Sequence, residues 1–478
     1  MKLKLSRHKT FVIVILLCLY GCANLPNGAS LDATTTYSEI PKETSATKDI
    51  PEQNYKFAQV EFVVTIPAST QNEQKIYLSL LDEVTGLALN KESHLMELNL
   101  ERSNTNVQVY QLSLPLLVGS TIKYHYARED GSIIVGEHTT EGEPVRYRLL
   151  QVYAPGSIED IVSRWTDTTY TGSTGQLIGK IVDANTGIPL DNQLISIAGI
   201  QATSDTDGSF VINGLPPGIH NLVVYSKDGK YQTFQQGARI AADLPTLAPI
   251  ELQPREIVEG TFTVTLPENT PPLIPVRIAG NILQLGNSFS TRWAGMSSIP
   301  SMMPILEQLQ DGRYTIKLSL PAGAYIRYKY TLGDGFWNAE HTGNGEFRSR
   351  HLIVPNQNFV IEDQVDTWNS NPDKNISFDV KVPENTPQGD FISIQFNPIF
   401  GWTEPIPMWK IGEDRWGYIL YSPLNLPGNF SYRYCRNGEC GLLDDTTTQG
   451  FFGPGRYIDP NISPAIFQDQ VEAWTDMN

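Results

Sequence analysis

The chain has 478 residues, too many for one hydrophobic core, and its 38 glycines, 32 prolines and 10% aromatic residues suit short strands and turns better than long helices. Its formal charge is −17, and cations are concentrated in the first nine residues, so the remainder is more acidic still. That balance excludes a nucleic-acid partner, which needs a basic surface, and no convincing amphipathic helix of three turns or more interrupts an all-β reading.

At the N-terminus Lys2, Lys4, Arg7 and Lys9 precede an apolar run from Phe11 to Leu19 that is too short for an ordinary membrane span, so residues 1–21 read as an export signal. The sequence Leu19-Tyr20-Gly21-Cys22 resembles a bacterial lipobox, in which cleavage precedes the cysteine. The resemblance implies that Cys22 carries lipid and that the exported chain is anchored to the bacterial cell membrane or outer surface, several acyl chains making the anchor stable. An ordinary signal peptide that happens to contain a cysteine is the alternative. Residues 22–55 are rich in Ser, Thr, Pro, Asn and Glu and read as a disordered tether.

Three later segments open and close alike. Phe62 to Pro67, Phe262 to Pro267 and Phe378 to Pro383 are strands with apolar residues at alternate positions, each stopped by proline. An acidic-Val-Trp signature closes each segment, at Trp165, Trp368 and Trp474, roughly a hundred residues after the proline, as one module in triplicate requires. The modules span 56–168, 257–370 and 374–478. Their closing tryptophans are expected to plug the cores, with sugar stacking as the alternative. Each module also carries a tyrosine pair two residues apart, Tyr124/Tyr126, Tyr328/Tyr330 and Tyr432/Tyr434, followed by Glu137-His138-Thr139, Glu340-His341-Thr342 or Asp444-Asp445-Thr446. The pairs are expected to face the core, which would display Lys329, between two of them, on the surface. His138 and His341 are expected to hydrogen-bond on the return strand.

Residues 173–254 differ. Strand-like runs joined by Asn, Asp, Gly and Pro turns argue a small Greek-key sandwich. Asp205-Thr206-Asp207-Gly208 begins like a calcium loop but has no glutamate at the twelfth position, so a type I′ hairpin turn is expected. The order of motifs, from Gly179-Lys180-Ile181-Val182 through Gly214-Leu215-Pro216-Pro217-Gly218, resembles the carboxypeptidase regulatory-like family, a transthyretin-like sandwich. That resemblance implies a spacer or interaction module without catalysis. The fold class expected for the whole chain is therefore all-β, four tandem β-sandwiches of immunoglobulin-like or Greek-key type after the signal and tether.

In the third module Trp337, just after the turn at Gly333-Asp334-Gly335, would set a flat apolar ring beside the Lys329 donor, a combination suited to a pyranose. Ala279-Gly280-Asn281, Leu285-Gly286-Asn287, Arg313-Tyr314, Leu320-Pro321-Ala322-Gly323, Tyr328-Lys329-Tyr330 and Trp337-Asn338 resemble the starch-binding domain, carbohydrate-binding module family 20. The resemblance implies an α-glucan site at Lys329, Trp337 and Asn338, and in the fourth module at Trp402 and Arg433. This sequence departs from the pattern in the third module, where Asn287-Ser288-Phe289 stands in place of the family's first tryptophan with Trp293 as a substitute, and in the fourth, where Gly441 replaces the second; the first module offers only His125 and Ile134. Trp402 and Trp409, in a Pro/Gly-rich stretch, are surface candidates; Trp416 reads as strand core.

Cys435 and Cys440 flank the turn signal Asn437-Gly438 and are expected to face each other across a hairpin, as a disulfide or as a free pair. No metal-ligand spacing, nucleophile elbow, phosphate loop or singled-out carboxylate pair appears, so no metal, cofactor or enzymatic activity is expected. These readings together lead to a lipid-anchored, non-catalytic protein that binds starch or a related α-glucan. The alternatives are an adhesion scaffold that has lost sugar binding, and the accessory part of a glycoside hydrolase system whose catalytic domain lies on another chain.

Overall fold

The computed structural model describes residues 56–70, 74–81, 93–104, 107–131, 133–271, 274–287, 299–333, 338–346, 348–368, 375–397, 402–421, 430–450, 453–458 and 465–477. Apart from two 3-10 turns, at Leu283–Leu285 and Pro300–Met302, the regular structure of these residues is entirely β. Alternation decides which way each strand faces. In Phe57–Ile66, Ala58, Val60, Phe62, Val64 and Ile66 point inward and are buried.

Each repeated module is a pair of sheets. In the first, Glu97–Leu98, Gln108–Leu117, Phe57–Ile66 and Gly156–Ile161 form one sheet, faced by another built on Thr121–Asp130, Lys75–Leu80 and Ile133–His138. In the third, Glu307–Gln308, Tyr314–Pro321, Ile257–Thr265 and Phe359–Gln364 face Arg277–Gly280, Tyr325–Thr331 and Arg350–Ile353. In the fourth, Trp409–Lys410, Arg415–Leu420, Ile376–Lys381 and Ala465–Gln470 face Ile406–Pro407, Ile392–Asn397, Phe430–Arg436 and Arg456–Ile458. The second module has a three-stranded sheet centred on Gly175–Asp183 and a four-stranded sheet containing Leu194–Ile197 and Gly218–Tyr225. In all four modules the opening strand pairs in parallel with the last long strand, which in the first module, Gly156–Ile161, is followed by the two-residue strand Arg164–Trp165.

The tyrosine pairs do face the cores, and their hydroxyls explain the acidic closing signature. Tyr124 and Tyr126 both donate to Asp160, at 2.8 and 2.9 Å. Tyr328 and Tyr330 donate to Asp363 at 3.0 and 2.9 Å, and Tyr432 and Tyr434 to Asp469 at 2.7 and 2.8 Å. A buried phenol needs such a partner. An arginine completes each hub: Arg148 joins Asp160 to Glu137, Arg350 joins Asp363 to Glu340, and Arg456 joins Asp469 to Asp445. Asp445, not Asp444, therefore occupies the place of the two glutamates. The closing tryptophans are fully buried, and each indole donates to the threonine three residues beyond the strand-ending proline: Trp165 to Thr70, Trp368 to Thr270 and Trp474 to Thr386, at 2.8, 2.8 and 2.9 Å. With the ring enclosed and its N–H occupied, sugar stacking has no room there.

The turn at Asp205-Thr206-Asp207-Gly208 differs from the type I′ expectation. Only Gly208 has positive φ, at 77°, and its N–H bonds to Asp205 O at 2.8 Å while Asp205 N–H reaches Ser209 O. This is a type I turn followed by a left-handed residue, which needs one glycine rather than two permissive positions.

The modules pack against one another. Leu81, Tyr147 and Leu149 of the first and Leu194, Val223 and Tyr225 of the second form one buried apolar cluster. Leu283 N–H donates to Lys227 O and Arg255 to Ala322 O between the second and third. The third and fourth share a single continuous core in which Leu332 and Tyr330 belong to the same cluster as Tyr418 and Trp416.

Candidate functional site

The fourth module brings together two of the residues singled out from sequence. Arg433 lies on strand Phe430–Arg436, on the face opposite the core-facing Tyr432 and Tyr434, and its guanidinium sits 4.3 Å from the centre of the Trp402 ring. Arg433 is only 1% exposed, so its charge requires compensation. Its Nε donates to Gln395 Oε1 at 2.7 Å, its Nη1 to Gly450 O, and Asp444 lies 3.7 Å away. Burial lowers the affinity of the guanidinium for its proton, and Asp444 acts in the opposite direction. Asp444 is itself fixed by the backbone N–H groups of Gly441 and Gly450.

Trp402 is half-buried, one side of its ring resting on this guanidinium. At Gly455, with φ of 73°, an added Cβ would come within 2.7 Å of Trp402 Cη2 and 2.9 Å of Tyr432 O. Only glycine permits the loop to pass so close to the indole. Gln395 reaches from Arg433 to Thr403 O, beside Trp402, so the ring is held from both the strand and its own loop. The result is an aromatic platform fixed in orientation before any ligand arrives.

The corresponding place in the third module is used differently. Lys329 is 3% exposed, not displayed on the surface as expected, and lies on the same strand face as the buried Thr331, whose hydroxyl donates to Asn338 O. Asn338 is fully buried and bridges to the fourth module, donating to Ile419 O and accepting from Tyr421 N–H at 3.0 Å. Its amide is committed to the joint, which removes it from any glycan site. Trp337 lies outside the described residues, as does Cys22. His341, next to this joint, is buried with its Nδ1 2.9 Å from Ala339 O. Burial lowers its pKa to about 4, and the Lys329 charge works in the same direction, against the pull of the Ala339 carbonyl. His138 instead faces Thr166 Oγ1 at 3.2 Å.

Trp409 is not a surface residue: it pairs through its backbone with Gly417 and packs at 5.1 Å on Tyr418. Trp416 is buried as strand core. Cys435 and Cys440 are joined by a disulfide with their Cα atoms 5.0 Å apart. Cys435 lies on strand Phe430–Arg436, while Cys440 sits in the helical turn after Asn437-Gly438, where Leu443 N–H bonds to Glu439 O. The bond therefore ties a strand to a turn, and the antiparallel return begins only at Asp444, opposite Cys435. Among the described residues no cluster of His, Cys, Asp or Glu has the arrangement of a metal site.

The fold defines the class of molecule: a chain of tandem β-sandwich modules. No family model matches the chain, and no curated protein matches it in sequence. Among solved structures it is similar to the Bacillus anthracis TIE protein, at 10% identity over 89% of this chain and 75% of the other, with a TM-score of 0.17. It is also similar to a streptococcal ancillary pilin, at 11% identity over 64% and 99% with a TM-score of 0.21, and to GBS52, the minor pilin of Streptococcus agalactiae, at 15% identity over 41% and 96% with a TM-score of 0.17.

Proposed function

We propose that this chain is a non-catalytic binder of starch or a related α-glucan, held at the bacterial surface by lipid on Cys22, and that Trp402 is its principal contact with sugar. The observation that carries the reading is the half-buried indole stacked on a buried guanidinium held by Gln395, Gly450 O and Asp444. A pyranose presents an apolar C–H face to such a ring, and a platform ordered in advance does not lose rotamer entropy on binding. One ring contributes about 1 kcal/mol beyond the area it buries, so binding is weak and suited to a polymer that offers many equivalent units. The resemblance to starch-binding domains supplies the choice of α-glucan. A glycoside hydrolase acting on the same polymer is the class of partner this reading implies.

Affinity electrophoresis of the chain without residues 1–22, in gels containing soluble starch, tests the proposal. Retardation of the parent protein and its marked reduction in Trp402→Ala support it; an unretarded parent refutes it. The commitment of Asn338 to the joint, and the burial of Lys329, favour a second reading, a packed scaffold that presents a partner-binding surface. An unretarded parent that remains folded would direct attention there. Incorporation of labelled palmitate, abolished by Cys22→Ala, tests the anchor.

A further inference from the structure

A second aromatic is held in place on a rim between modules. Tyr153, after strand Arg148–Gln151 of the first module, is 55% exposed, yet its hydroxyl donates across the joint to Thr233 O of the second. Around it opens a groove of about 240 Å³ whose floor is apolar, built from Val60, Val152 and Ile158. Gln235 of the second module and Ser157 of the first stand on its edge. The joint below is rigidly specified: Gln151 N–H donates to Gln235 Oε1 at 2.8 Å, Gln235 Nε2 returns to Gln151 O at 3.2 Å, and Asn221 Nδ2 donates to Leu149 O at 3.0 Å. The groove therefore has fixed walls from two modules.

The chemistry of the lining selects among ligands. Apart from the Tyr153 phenol, no lining residue is ionisable. In a chain of net charge −17 with no cation in the groove, an anionic ligand has nothing to offset its desolvation, and with no carboxylate there a cation fares no better. What remains is a neutral ligand with an apolar face and hydroxyls, since the groove offers the Tyr153 ring face and the exposed Ser157 hydroxyl, while the Gln151 and Gln235 amides are engaged within the protein. We infer that the groove at the joint of the first and second modules is a second subsite for a neutral hexose polymer, with Tyr153 as its stacking residue. This inference rests on the glucan reading of Trp402 and adds a subsite to it. Two subsites in one packed chain engage separate stretches of one polymer, so losing either weakens retention more than its own affinity suggests.

Starch-gel electrophoresis of five proteins, the parent, Trp402→Ala, Tyr153→Ala, Tyr153→Phe and the Trp402→Ala/Tyr153→Ala double variant, tests it, with thermal melts to establish that each is folded. The inference expects Trp402→Ala to keep measurable retardation, which the double variant loses, and Tyr153→Ala to weaken parental retardation severalfold. Tyr153→Phe, which keeps the ring and drops only the bond to Thr233, should retain most of it. An unretarded parent removes both the glucan reading and this subsite. A retarded parent whose retardation vanishes entirely in Trp402→Ala, or is the same in Trp402→Ala and the double variant, overturns the subsite and leaves the glucan reading standing. If Tyr153→Ala melts early, a loss of retardation shared equally by Tyr153→Phe overturns stacking as its cause.

Discussion

The third and fourth modules carry the same hairpin and use its outer face in opposite ways. In the third, Lys329 is buried and Asn338 is bonded to Ile419 and Tyr421 of the next module. In the fourth, Arg433 is equally buried but supports Trp402, which keeps part of its ring in solvent. The repeat thus fixes a strand, its inward tyrosines and an outward cation; what packs over that cation decides between a joint and a platform.

Breaking the shared hub should have the largest effect, and a similar one in both modules. Asp363→Ala or Asp469→Ala leaves two buried phenols without their acceptor and their arginine, the buried Arg350 or the half-buried Arg456, with one carboxylate instead of two, an expected loss of about 3–5 kcal/mol in denaturant unfolding. Equal effects support a common scaffold; a negligible effect in either module refutes it.

Asn338→Ala separates the two faces. It leaves Ile419 O and Tyr421 N–H without their partner at the joint and should cost about 2–3 kcal/mol, with starch retardation at Trp402 unchanged. Gly455→Ala should do the reverse, weakening retardation about tenfold through displacement of Trp402, equivalent to about 1.4 kcal/mol, while the third module keeps its stability.

Acid should also distinguish the modules. Folded His341 has its pKa lowered to about 4, so between that value and the unfolded value of about 6.5 the unfolded chain binds the extra proton. The folded state consequently loses stability as pH falls through that window, by up to about 3 kcal/mol at its lower end. The fourth module has Thr446 next to Asp445, where the third has His341 next to Glu340, and lacks this contribution. His341→Gln should flatten the pH dependence of the unfolding midpoint; an unaltered slope would show that another group is responsible. Reducing Cys435–Cys440 removes a short loop closure worth about 2 kcal/mol, visible as a lower melting temperature in dithiothreitol that Cys435→Ser/Cys440→Ser reproduces.

Much of the scaffold is legible in the sequence because it depends on local periodicity. The alternation of Phe62, Val64 and Ile66 and the two-residue spacing of the tyrosines set inward faces whatever surrounds them. The arginine of each hub was missed, although its signal was present: Arg148, Arg350 and Arg456 recur 12, 13 and 13 residues before the acidic partner. Lys329 and Asn338 could not be placed in the same way, because their burial is connected with contacts beyond the strand's own period. Trp409 misled for a related reason: a Pro/Gly-rich neighbourhood suggests surface, but its two-residue strand returns the indole to Tyr418. Trp402 and Arg433 are assigned from sequence to one site, but only the fold shows one lying on the other.

The parallel pairing of opening and closing strands has a mechanical consequence. When the chain is pulled from its two ends, tension enters each sandwich at its opening strand and leaves beyond the strand paired in parallel with it. Those strands lie side by side and point the same way, over register runs such as Val60 to Thr65 with Gly156 to Ile161 and Gln176 to Asp183 with Pro245 to Leu252. The load then falls along the ladder, so its hydrogen bonds must slide and fail together rather than open one at a time. Each module is built to resist shear between its two ends.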